Sequence, residues 1–462
     1  MAKHDYDLVI IGAGSGNMLP AGQFDGWRIA MVEGSRFGGT CLNRGCIPSK
    51  MLVHTADVAQ VVRRAGRFGV GAEPTGVDWP AIRDRVFSRI DPVHEKAVAY
   101  RRARGADVFT AEGRFVAPKV LVAGDDELRS ERFVLAAGSR PYVPPIPGLA
   151  DVPFLTSDTV MRLDSLPESM AVLGGGYIAA EMSHVFGSLG SSVTIIERGG
   201  HLLSRHDADI RARFTDLYRE RFDLRLNASV QRVSRAGNRV RVEFMTPAGA
   251  QVVEADVLLV ASGRQPNSDR LDVAAAGIEV DSHGHVRADD TYATSVPGIW
   301  AFGDLANHFQ LKHMANAEAR VVWHNVVHPD RPRTAKFPVV PAAVFADPQV
   351  ASAGATEHEL QARGRRYVSA TRPYSGAAYG WAIEDTTGFV KILADPDSAL
   401  LLGAHIIGPD ASILIQPLIQ AMCLRNTVAQ VATGVLYIHP ALTEVVEQAL
   451  LGLWGWVPGK PR

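Results

Sequence analysis

Two of the three cysteines in this 462-residue chain lie close together, in the segment GGTCLNRGCIPSK at residues 38–50. Disulfides seldom persist in a reducing cytosol unless they take part in chemistry, so this pair is more typical of redox or metal chemistry than of a structural bridge. A zinc site would need two further ligands, and Cys423 lies alone in an apolar segment. We therefore expect no metal site and favour a redox-active Cys41 and Cys46, with two thiols of no function as the alternative.

The residues around the pair predict an acidic thiol at Cys46. The flanking glycines and the segment IPSKML indicate that Cys46 opens a helix, whose N-terminal dipole stabilises a thiolate. Lys50 lies one helical turn further along the same face and adds a positive charge. Such a thiol is ionised near neutral pH, and a dithiol beside a nucleotide site can accept two electrons.

A glycine-rich turn follows a β-branched strand in YDLVIIGAGSGN, residues 6–17. In a Rossmann turn the first glycine permits the tight turn, the second lets the backbone approach a pyrophosphate, and the following helix directs N–H groups at it. Gly12 and Gly14 fit these positions, and Glu33 ends the next strand, where an acid can hold a ribose. Asn17 replaces the third glycine, and we expect it to loosen the packing of helix on strand slightly.

The same pattern recurs in SMAVLGGGYIAAE, residues 169–181. Gly174, Gly176 and Ala179 complete the motif, and Glu197 ends the next strand, SVTIIE. A single motif of this kind is weak evidence, because ordinary glycine turns match it often. Two copies, each with a strand, a helix and a distal acid, predict two dinucleotide sites.

The elements that carry these motifs indicate an α/β fold. Apolar residues at helical spacing predict helices at 46–66, 80–104, 411–426 and 440–453. Strand-like segments follow one another at 107–135. The segment PYVPPIPGL at 141–149 is the clearest linker, and FGDLAN at 302–307 ends a further strand. From 337 onward strands and helices alternate in a separate α+β domain, and WVPGKPR at 456–462 reads as a free tail.

Composition excludes some partners. The chain has 48 basic and 49 acidic residues, a net charge of -1, so it offers no strong field to nucleic acid or to an anionic membrane. No apolar run reaches the ~20 residues that span a bilayer. The N-terminal segment lacks the basic start and cleavage site of a signal peptide. We expect a cytoplasmic protein with neither a nucleic-acid nor a membrane partner.

Several motifs together resemble the flavin disulfide reductases, the family of glutathione reductase, dihydrolipoamide dehydrogenase, mercuric reductase and mycothione reductase. The resemblance spans nearly the whole chain. It rests on GGTCLNRGCIPSK (38–50), AAGSRP (136–141), GGGYIAAE (174–181), FGDLAN (302–307), PAAVFADPQVASAGATE (341–357) and IHPALTE (438–444). It implies two Rossmann-like dinucleotide-binding domains and a C-terminal α+β dimerisation domain. The implied domains are 1–148 for FAD and the dithiol, 149–268 for NAD(P)H, 269–336 for a return to the FAD-binding domain, and 337–462 for dimerisation.

The resemblance also assigns roles. Cys46 would contact the flavin, and Cys41 would attack the substrate disulfide. Lys50 and Glu181 would lie beside the flavin ring, and Asp304 would bind the ribityl chain. The implied FAD residues are Gly12, Gly14, Glu33, Gly39, Thr40, Lys50, Gly138, Gly303 and Asp304, and the implied NAD(P)H residues are Gly174, Gly176, Glu197, Arg198, Arg205 and Gly263.

His439 and Glu444 match the family's histidine and acid near the C-terminus. A thiolate that leaves a substrate disulfide needs a proton, and histidine exchanges protons near neutral pH. Glu444 would orient the ring through its other nitrogen. In this family the segment reaches into the partner's site, so the resemblance implies a homodimer. Tyr437 is either a packed aromatic residue or a wall of the substrate site.

The choice of nicotinamide cofactor is open from the residues. Glu197 matches the acid that holds the ribose of NAD, and its charge would repel a 2′-phosphate. Arg198 and Arg205 favour a phosphate, unless they are two solvated surface residues. We expect use of both nucleotides with a preference for NADPH.

Within the family, the segments around 6–17, 89–93, 156–163, 377–388 and 412–422 look like those of actinobacterial mycothione reductases. Their substrate is the disulfide of mycothiol, a low-molecular-weight thiol. A dihydrolipoamide dehydrogenase that runs the reverse direction is the alternative enzyme. A flavoprotein scaffold is the third reading, although a scaffold has no need of Cys41, Cys46, His439 and Glu444 together.

Overall fold

The computed structural model describes residues 1–456, so the predicted tail lies outside it except for Trp456. A five-stranded parallel sheet forms the centre of the first unit. Its strand order is Ile299–Ala301, Phe133–Leu135, Leu8–Ile11, Ile29–Val32 and Ala106–Phe109. Alternate residues of Leu8–Ile11 belong to two different buried clusters, so both faces of the sheet are covered. The strand Ile299–Ala301 follows the second glycine turn in the sequence but returns to this sheet.

The first unit also holds a smaller four-stranded sheet and most of the long helices. That sheet has the order Ala2–Tyr6, Asp126–Ser130, Val120–Ala123 and Gly113–Ala117. The helices are Gly39–Arg44, Cys46–Arg64, Trp79–Ile90, Pro92–Ala103 and Lys312–Val327, with 3-10 turns at Ser15–Asn17, Ala65–Phe68 and Gly303–Leu305. The predicted single helix at 80–104 is wrong in one respect, because Pro92 begins a new helix there.

The predicted helix after the first glycine turn is absent. Only a single 3-10 turn, Ser15–Asn17, follows Gly14. The carbonyl of Asn17 accepts a hydrogen bond from the Arg101 guanidinium instead of from the next helical turn. Pro20 has no N–H to donate, and Gly22 has a φ of 77°. Helix N–H groups are therefore fewer at this turn than the motif predicts.

The second unit repeats the parallel arrangement and follows its glycine turn with a full helix. Its sheet has the order Asp223–Arg225, Ser192–Ile196, Ser169–Leu173 and Val257–Val260. The helices are Tyr177–Leu189 and Ala208–Arg221, with 3-10 turns at Leu149–Asp151 and Val160–Arg162. A further 3-10 turn, Val273–Ala276, packs in a core of the first unit. An antiparallel sheet of Ser229–Ala236, Arg239–Thr246 and Gly249–Ala255 packs beside it. Ser139–Pro141 pairs with Arg264–Pro266 where the two units meet.

The third unit is an antiparallel sheet that packs against helices. The strand order is Ala342–Val344, Val350–Gly354, Leu401–Ile407, Phe389–Ala394 and Val368–Pro373. The helices are Glu357–Ala362, Ala378–Ala382, Ala411–Leu414, Gln416–Leu424, Val428–Thr433 and Thr443–Leu451, with a 3-10 turn at Tyr374–Gly376. The apolar face of Thr443–Leu451 lies in the same core as the central strands.

A buried lysine joins the second unit to the third. The Lys391 ammonium is 2% exposed and donates to Asp207, Asp209 and Glu357 at 2.7, 2.6 and 2.7 Å. Three carboxylates around one buried cation compensate its desolvation. Within residues 1–456, no helix is long and apolar enough to cross a membrane.

Candidate active site

The segment 38–46 folds as a tight loop that presents both thiols. Gly38 has a φ of 97°, and a Cβ there would lie 2.3 Å from the Leu42 side chain. The Asn43 side chain, 5% exposed, donates to the carbonyl oxygens of Arg36, Phe37 and Gly39 at 3.2, 3.0 and 3.0 Å. Asn43 therefore holds the loop in shape, a role that sequence reasoning missed although Asn43 lies between the two cysteines.

The two thiols are free and differ in acidity. Cys46 is the first residue of the helix Cys46–Arg64, as predicted, and Cys41 lies in the preceding short helix. A hydrogen bond from the Cys41 thiol, together with the positive charge of Lys50, lowers the pKa of Cys46 to about 7 although burial opposes this. The same hydrogen bond and burial raise the pKa of Cys41 well above the usual range of a thiol. In the reduced pair Cys46 thus carries the charge and Cys41 the proton.

Lys50 and Glu181 form an ion pair between the first and second units. The Lys50 ammonium lies 2.7 Å from both carboxylate oxygens of Glu181, which is 4% exposed. Glu181 also accepts a hydrogen bond from the backbone N–H of Phe345, whose ring lies 4.7 Å from the ammonium. The pair therefore fixes helix Cys46–Arg64 against helix Tyr177–Leu189 and touches the third unit.

A second lysine lies near the thiols, and sequence reasoning missed it. Lys312 is the first residue of helix Lys312–Val327 and donates to the Ser15 hydroxyl at 2.9 Å, in the first glycine turn. Burial lowers the pKa of Lys312, while the charges of Cys41, Cys46 and Asp304 oppose that shift. A cation at a helix N-terminus destabilises the helix, and this unfavourable placement is the feature of the sequence that could have pointed to a functional Lys312. The charges of Lys50 and Lys312 therefore both act on the dithiol.

The first glycine turn has the shape that a dinucleotide needs. Gly12 has a φ of 97°, and a Cβ there would lie 2.2 Å from the carbonyl oxygen of Ala136. Gly14 and Gly39 pack face to face, since a Cβ on Gly39 would lie 2.8 Å from the Gly14 Cα. The Glu33 carboxylate accepts the N–H of Ala13 at 2.7 Å, so it lies directly beside the turn. These residues fit the pyrophosphate and ribose of a dinucleotide.

The remaining predicted flavin residues lie where three loops meet. Gly138 has a φ of 66° with open space beside it, and Thr40 is half-buried in the dithiol loop. Asp304 accepts the Ser139 hydroxyl at 2.7 Å, and Arg264 donates to the same hydroxyl at 2.9 Å. The space beside Gly138 is lined by the polar groups of these loops, and such a space fits a bound FAD.

Glu318 positions the loop that carries Asp304, and no motif in the sequence points to this residue. The carboxylate is 2% exposed and accepts the N–H of Gly303 at 2.7 Å and the amide of Asn307 at 2.9 Å. Burial raises the pKa of Glu318 to about 7. The glycine, with a φ of 70°, and the acid together set the direction of Asp304.

The second glycine turn lies against an acid. Gly174 has a φ of 115°, and a Cβ on Gly175 would lie 2.9 Å from the Glu197 carboxylate. A Cβ placed on Gly176 or Gly263 would meet no heavy atom of residues 1–456 within 4 Å, so the turn faces open space. This arrangement fits the pyrophosphate and ribose of a nicotinamide nucleotide.

Arg198 and Arg205 lie at the edge of this turn, on the segment that follows the strand Ser192–Ile196. Both side chains are exposed, and neither forms a hydrogen bond or ion pair with another residue in the described range. The structure therefore leaves both guanidinium groups free to meet a phosphate, and it does not bring either into contact with Glu197.

His439 and Glu444 meet each other but not the thiols. His439 Nδ1 lies 2.8 Å from Glu444 Oε1, and this hydrogen bond lowers the pKa of Glu444. The imidazole is 73% exposed and makes no hydrogen bond to Cys41 or Cys46 within the described chain. Tyr437 donates to the carbonyl of Val431 at 3.0 Å, so it is at least partly a packed aromatic residue.

Comparison with known proteins identifies the family. Residues 6–319 match the family described as pyridine nucleotide-disulphide oxidoreductase, and residues 340–450 match its dimerisation domain. The chain is 45% identical to mycothione reductase of Mycobacterium tuberculosis over 97% of its length and 99% of the relative's. It is 32% identical to dihydrolipoyl dehydrogenase of Chlamydia muridarum, with 97% of each chain covered.

A solved structure shows the same architecture. The HOCl-induced flavoprotein disulfide reductase RclA of Escherichia coli superposes with a TM-score of 0.84 at 28% identity, covering 96% of this chain and 99% of that one. The predicted resemblance and the predicted fold class are confirmed. The chain belongs to the pyridine nucleotide-disulphide oxidoreductases and is an FAD-dependent enzyme that draws electrons from a nicotinamide nucleotide.

Proposed function

We propose that this enzyme reduces a low-molecular-weight disulfide, the disulfide of mycothiol, with electrons from NAD(P)H. The polarised thiol pair carries the proposal, because a thiolate at Cys46 and a protonated Cys41 are the reduced form of a disulfide-exchange site. The 45% identity to mycothione reductase along the whole chain supports the substrate.

The residues around the dithiol prepare it for exchange. Bound FAD supplies the two-electron chemistry that links a nicotinamide nucleotide to a dithiol. Lys50 and Lys312 favour the charged state of the pair, and Glu181 holds Lys50 in place. Gly12, Gly14, Glu33 and Asp304 would hold FAD, together with Gly39, Thr40, Lys50, Gly138 and Gly303.

The exchange itself takes place between sulfur atoms. His439 takes the proton of Cys41, whose sulfur attacks one substrate sulfur and breaks the substrate disulfide, and the imidazolium returns that proton to the first thiol product as it leaves. Cys46 then attacks the Cys41 sulfur, which forms the Cys41–Cys46 disulfide and releases the second thiol product. Glu444 orients His439, since the two already share a hydrogen bond of 2.8 Å.

The imidazole that serves a given dithiol would belong to the partner subunit. We base this on the exposure of His439 and on the match of 340–450 to a dimerisation domain. The active enzyme is then a homodimer. The domain limits at 148, 268 and 336 are part of the same proposal, supported by the return of Ile299–Ala301 to the first sheet.

For the second site we propose Gly174, Gly176, Gly263 and Glu197 as contacts of the nicotinamide nucleotide. Arg198 and Arg205 would give a preference for NADPH over NADH because both are exposed and unpaired among the described residues. Glu197 allows NADH to be used as well, since a carboxylate can accept hydrogen bonds from a ribose.

A substrate panel tests the proposal. Purified holoenzyme is assayed with mycothiol disulfide, glutathione disulfide and lipoamide, each with NADH and with NADPH. We expect kcat/KM for mycothiol disulfide to exceed the others by at least about tenfold, in line with the 45% identity to mycothione reductase along the whole chain. Highest activity with lipoamide would instead indicate a dihydrolipoamide dehydrogenase, and no turnover of any disulfide would indicate a scaffold.

A further inference from the structure

Two histidines and an aspartate meet on the surface of the molecule, apart from the residues assigned above. Asp281 and His285 belong to the turn 281–285, and His308 lies in the loop that follows Asp304. Asp281 Oδ2 is 3.1 Å from His308 Nε2 and 3.6 Å from His285 Nδ1. One ligand atom from each of the three side chains lies within 4.8 Å of the others.

His285 is the unusual member of this cluster. Its side chain is buried, with 7% of the residue exposed, yet neither ring nitrogen has a hydrogen-bond partner among residues 1–456. A buried polar group without a partner is costly, so native proteins rarely leave one.

The turn holds the aspartate in a fixed orientation. Asp281 Oδ1 accepts the N–H groups of His283 and His285 at 2.8 and 2.9 Å, so Oδ2 points at the two imidazoles. Gly284, with a φ of 83°, closes the turn, and the Ser268 hydroxyl donates to its carbonyl. The carboxylate therefore keeps its position without help from His308.

The distances match those around a tetrahedral metal ion. Bonds of about 2.0–2.1 Å to such an ion place neighbouring ligand atoms roughly 3.3 Å apart. The two measured separations from Asp281 Oδ2, 3.1 and 3.6 Å, lie on either side of that value. Two imidazole nitrogens and one carboxylate oxygen suit zinc and similar transition metals, whereas Mg²⁺ and Ca²⁺ prefer oxygen alone.

We propose that Asp281, His285 and His308 bind a divalent transition-metal ion such as Zn²⁺, with the fourth position open to water. The ion would tie the turn 281–285 to the loop that follows Asp304. This departs from the expectation of no metal site, which rests on the spacing of the cysteines. The site is independent of the disulfide chemistry, so its failure would leave the proposed function standing.

Metal titration of the oxidised holoenzyme tests the site, because the Cys41–Cys46 disulfide then cannot bind metal. All proteins carry Cys423→Ser, which removes the exposed third thiol. Zinc sulfate and cobalt chloride are the probes, and equilibrium dialysis gives the stoichiometry and Kd. His308→Ala is the main variant, since the side chain is 63% exposed and its loss should not unfold the protein. His358→Ala, an exposed histidine in another unit, is the control.

We expect about one ion per chain in the parent and in His358→Ala, and at least tenfold weaker binding in His308→Ala. Zinc should raise Tm by at least about 1 °C in the parent and not in His308→Ala, because a ligand that binds only the folded state stabilises it. Asp281→Asn gives a second removal of a ligand. Equal metal affinity in parent and His308→Ala, or no binding at millimolar metal, would overturn the proposal.

Discussion

Cys46 owes its acidity to a neighbouring thiol and a neighbouring cation. The hydrogen bond from Cys41 and the charge of Lys50 act together, while the nearby carboxylate of Glu181 opposes them. The positive charge of Lys312 opposes the rise in the pKa of Cys41 that the Cys46 hydrogen bond and burial cause. The hydrogen bond between the two thiols therefore leaves the charge on Cys46 and the proton on Cys41.

Serine variants should separate the roles of the thiols. Cys46→Ser should abolish the long-wavelength thiolate-to-flavin absorbance of the two-electron-reduced enzyme, because the thiolate resides on Cys46. Cys41→Ser should keep that absorbance and lose disulfide turnover by at least about 1000-fold, since it removes the attacking sulfur. Cys423→Ser is the control and should leave both unchanged. Absorbance that persists in Cys46→Ser would mean that the roles are assigned wrongly.

The thiolate should appear as the pH rises through neutrality. Because the pKa of Cys46 is lowered to about 7, alkylation of the reduced enzyme by iodoacetamide should speed up between about pH 6 and 8. Lys312→Met removes a positive charge, so it should raise the apparent pKa of the pair by roughly 0.5 to 1 unit. Lys312→Arg keeps the charge and should restore the original profile. A profile that is identical in all three proteins would place Lys312 outside the electrostatics of the dithiol.

Glu197 and the two arginines should have opposite effects on cofactor choice. Glu197→Ala removes a charge that repels a 2′-phosphate, so kcat/KM should rise for NADPH and fall for NADH. Replacing Arg198 and Arg205 together by alanine should do the reverse. The measured quantity is the ratio of the two kcat/KM values in steady-state assays with one disulfide. If neither variant changes this ratio, these side chains point away from the nucleotide.

Among the secondary-structure elements, the first glycine turn shows where the sequence pattern misleads. The strand and glycines of YDLVIIGAGSGN are predictable because each needs only local conformation. The absence of the helix is not predictable from the motif, because it depends on Arg101. This residue lies in another helix and donates a hydrogen bond to the carbonyl of Asn17. The substitution of Asn17 for glycine therefore marks a different local fold and not merely looser packing.

Arg101→Ala should destabilise this turn. The Arg101 guanidinium donates to the side-chain oxygen of Asn17 at 2.6 Å and also to its carbonyl, so its loss leaves both acceptors unpaired. Hydrogen bonds to a charged group contribute about 1.5–3 kcal/mol, and we expect a lower Tm and faster loss of FAD on dialysis. Arg102→Ala is the matched control, since Arg102 is exposed and makes one long hydrogen bond of 3.3 Å. Equal Tm and FAD retention in the two variants would contradict a role for the Arg101–Asn17 contact.

The same distinction explains which site residues could be predicted. Cys41, Cys46, Lys50 and the glycines lie within short motifs whose spacing has a direct physical meaning. Lys312 and Glu318 lie in no motif themselves. They act by contacting residues of two motifs, Ser15 in the first glycine turn and Gly303 in FGDLAN. No local pattern reports such contacts, so only the fold reveals them.

Across the molecule as a whole, the residues proposed for disulfide exchange lie in two separate parts of the chain. The dithiol lies in the first unit, on helices that pack against the second unit through the Lys50–Glu181 pair, whereas His439 and Glu444 lie in the third. The segment around His439 exposes apolar side chains, with Leu436 99% and Ile438 75% exposed. An apolar segment of this kind is typical of an interface, and a second copy of the chain would cover it.

The proposed mechanism requires that each active site combine Cys41 of one subunit with His439 of the other. Cys41→Ser and His439→Gln are each expected to be nearly inactive as homodimers. A purified heterodimer of the two variants contains one site with both residues intact if the sites are shared. If each site were built from one chain, every site would still lack one residue.

Disulfide turnover by that heterodimer decides between these arrangements. The heterodimer is purified with two different affinity tags and compared with wild type at equal FAD content. A shared site predicts activity near half of the wild-type value, because one of the two sites is restored. Activity no higher than that of the parent homodimers would contradict the shared site and the mechanism that depends on it.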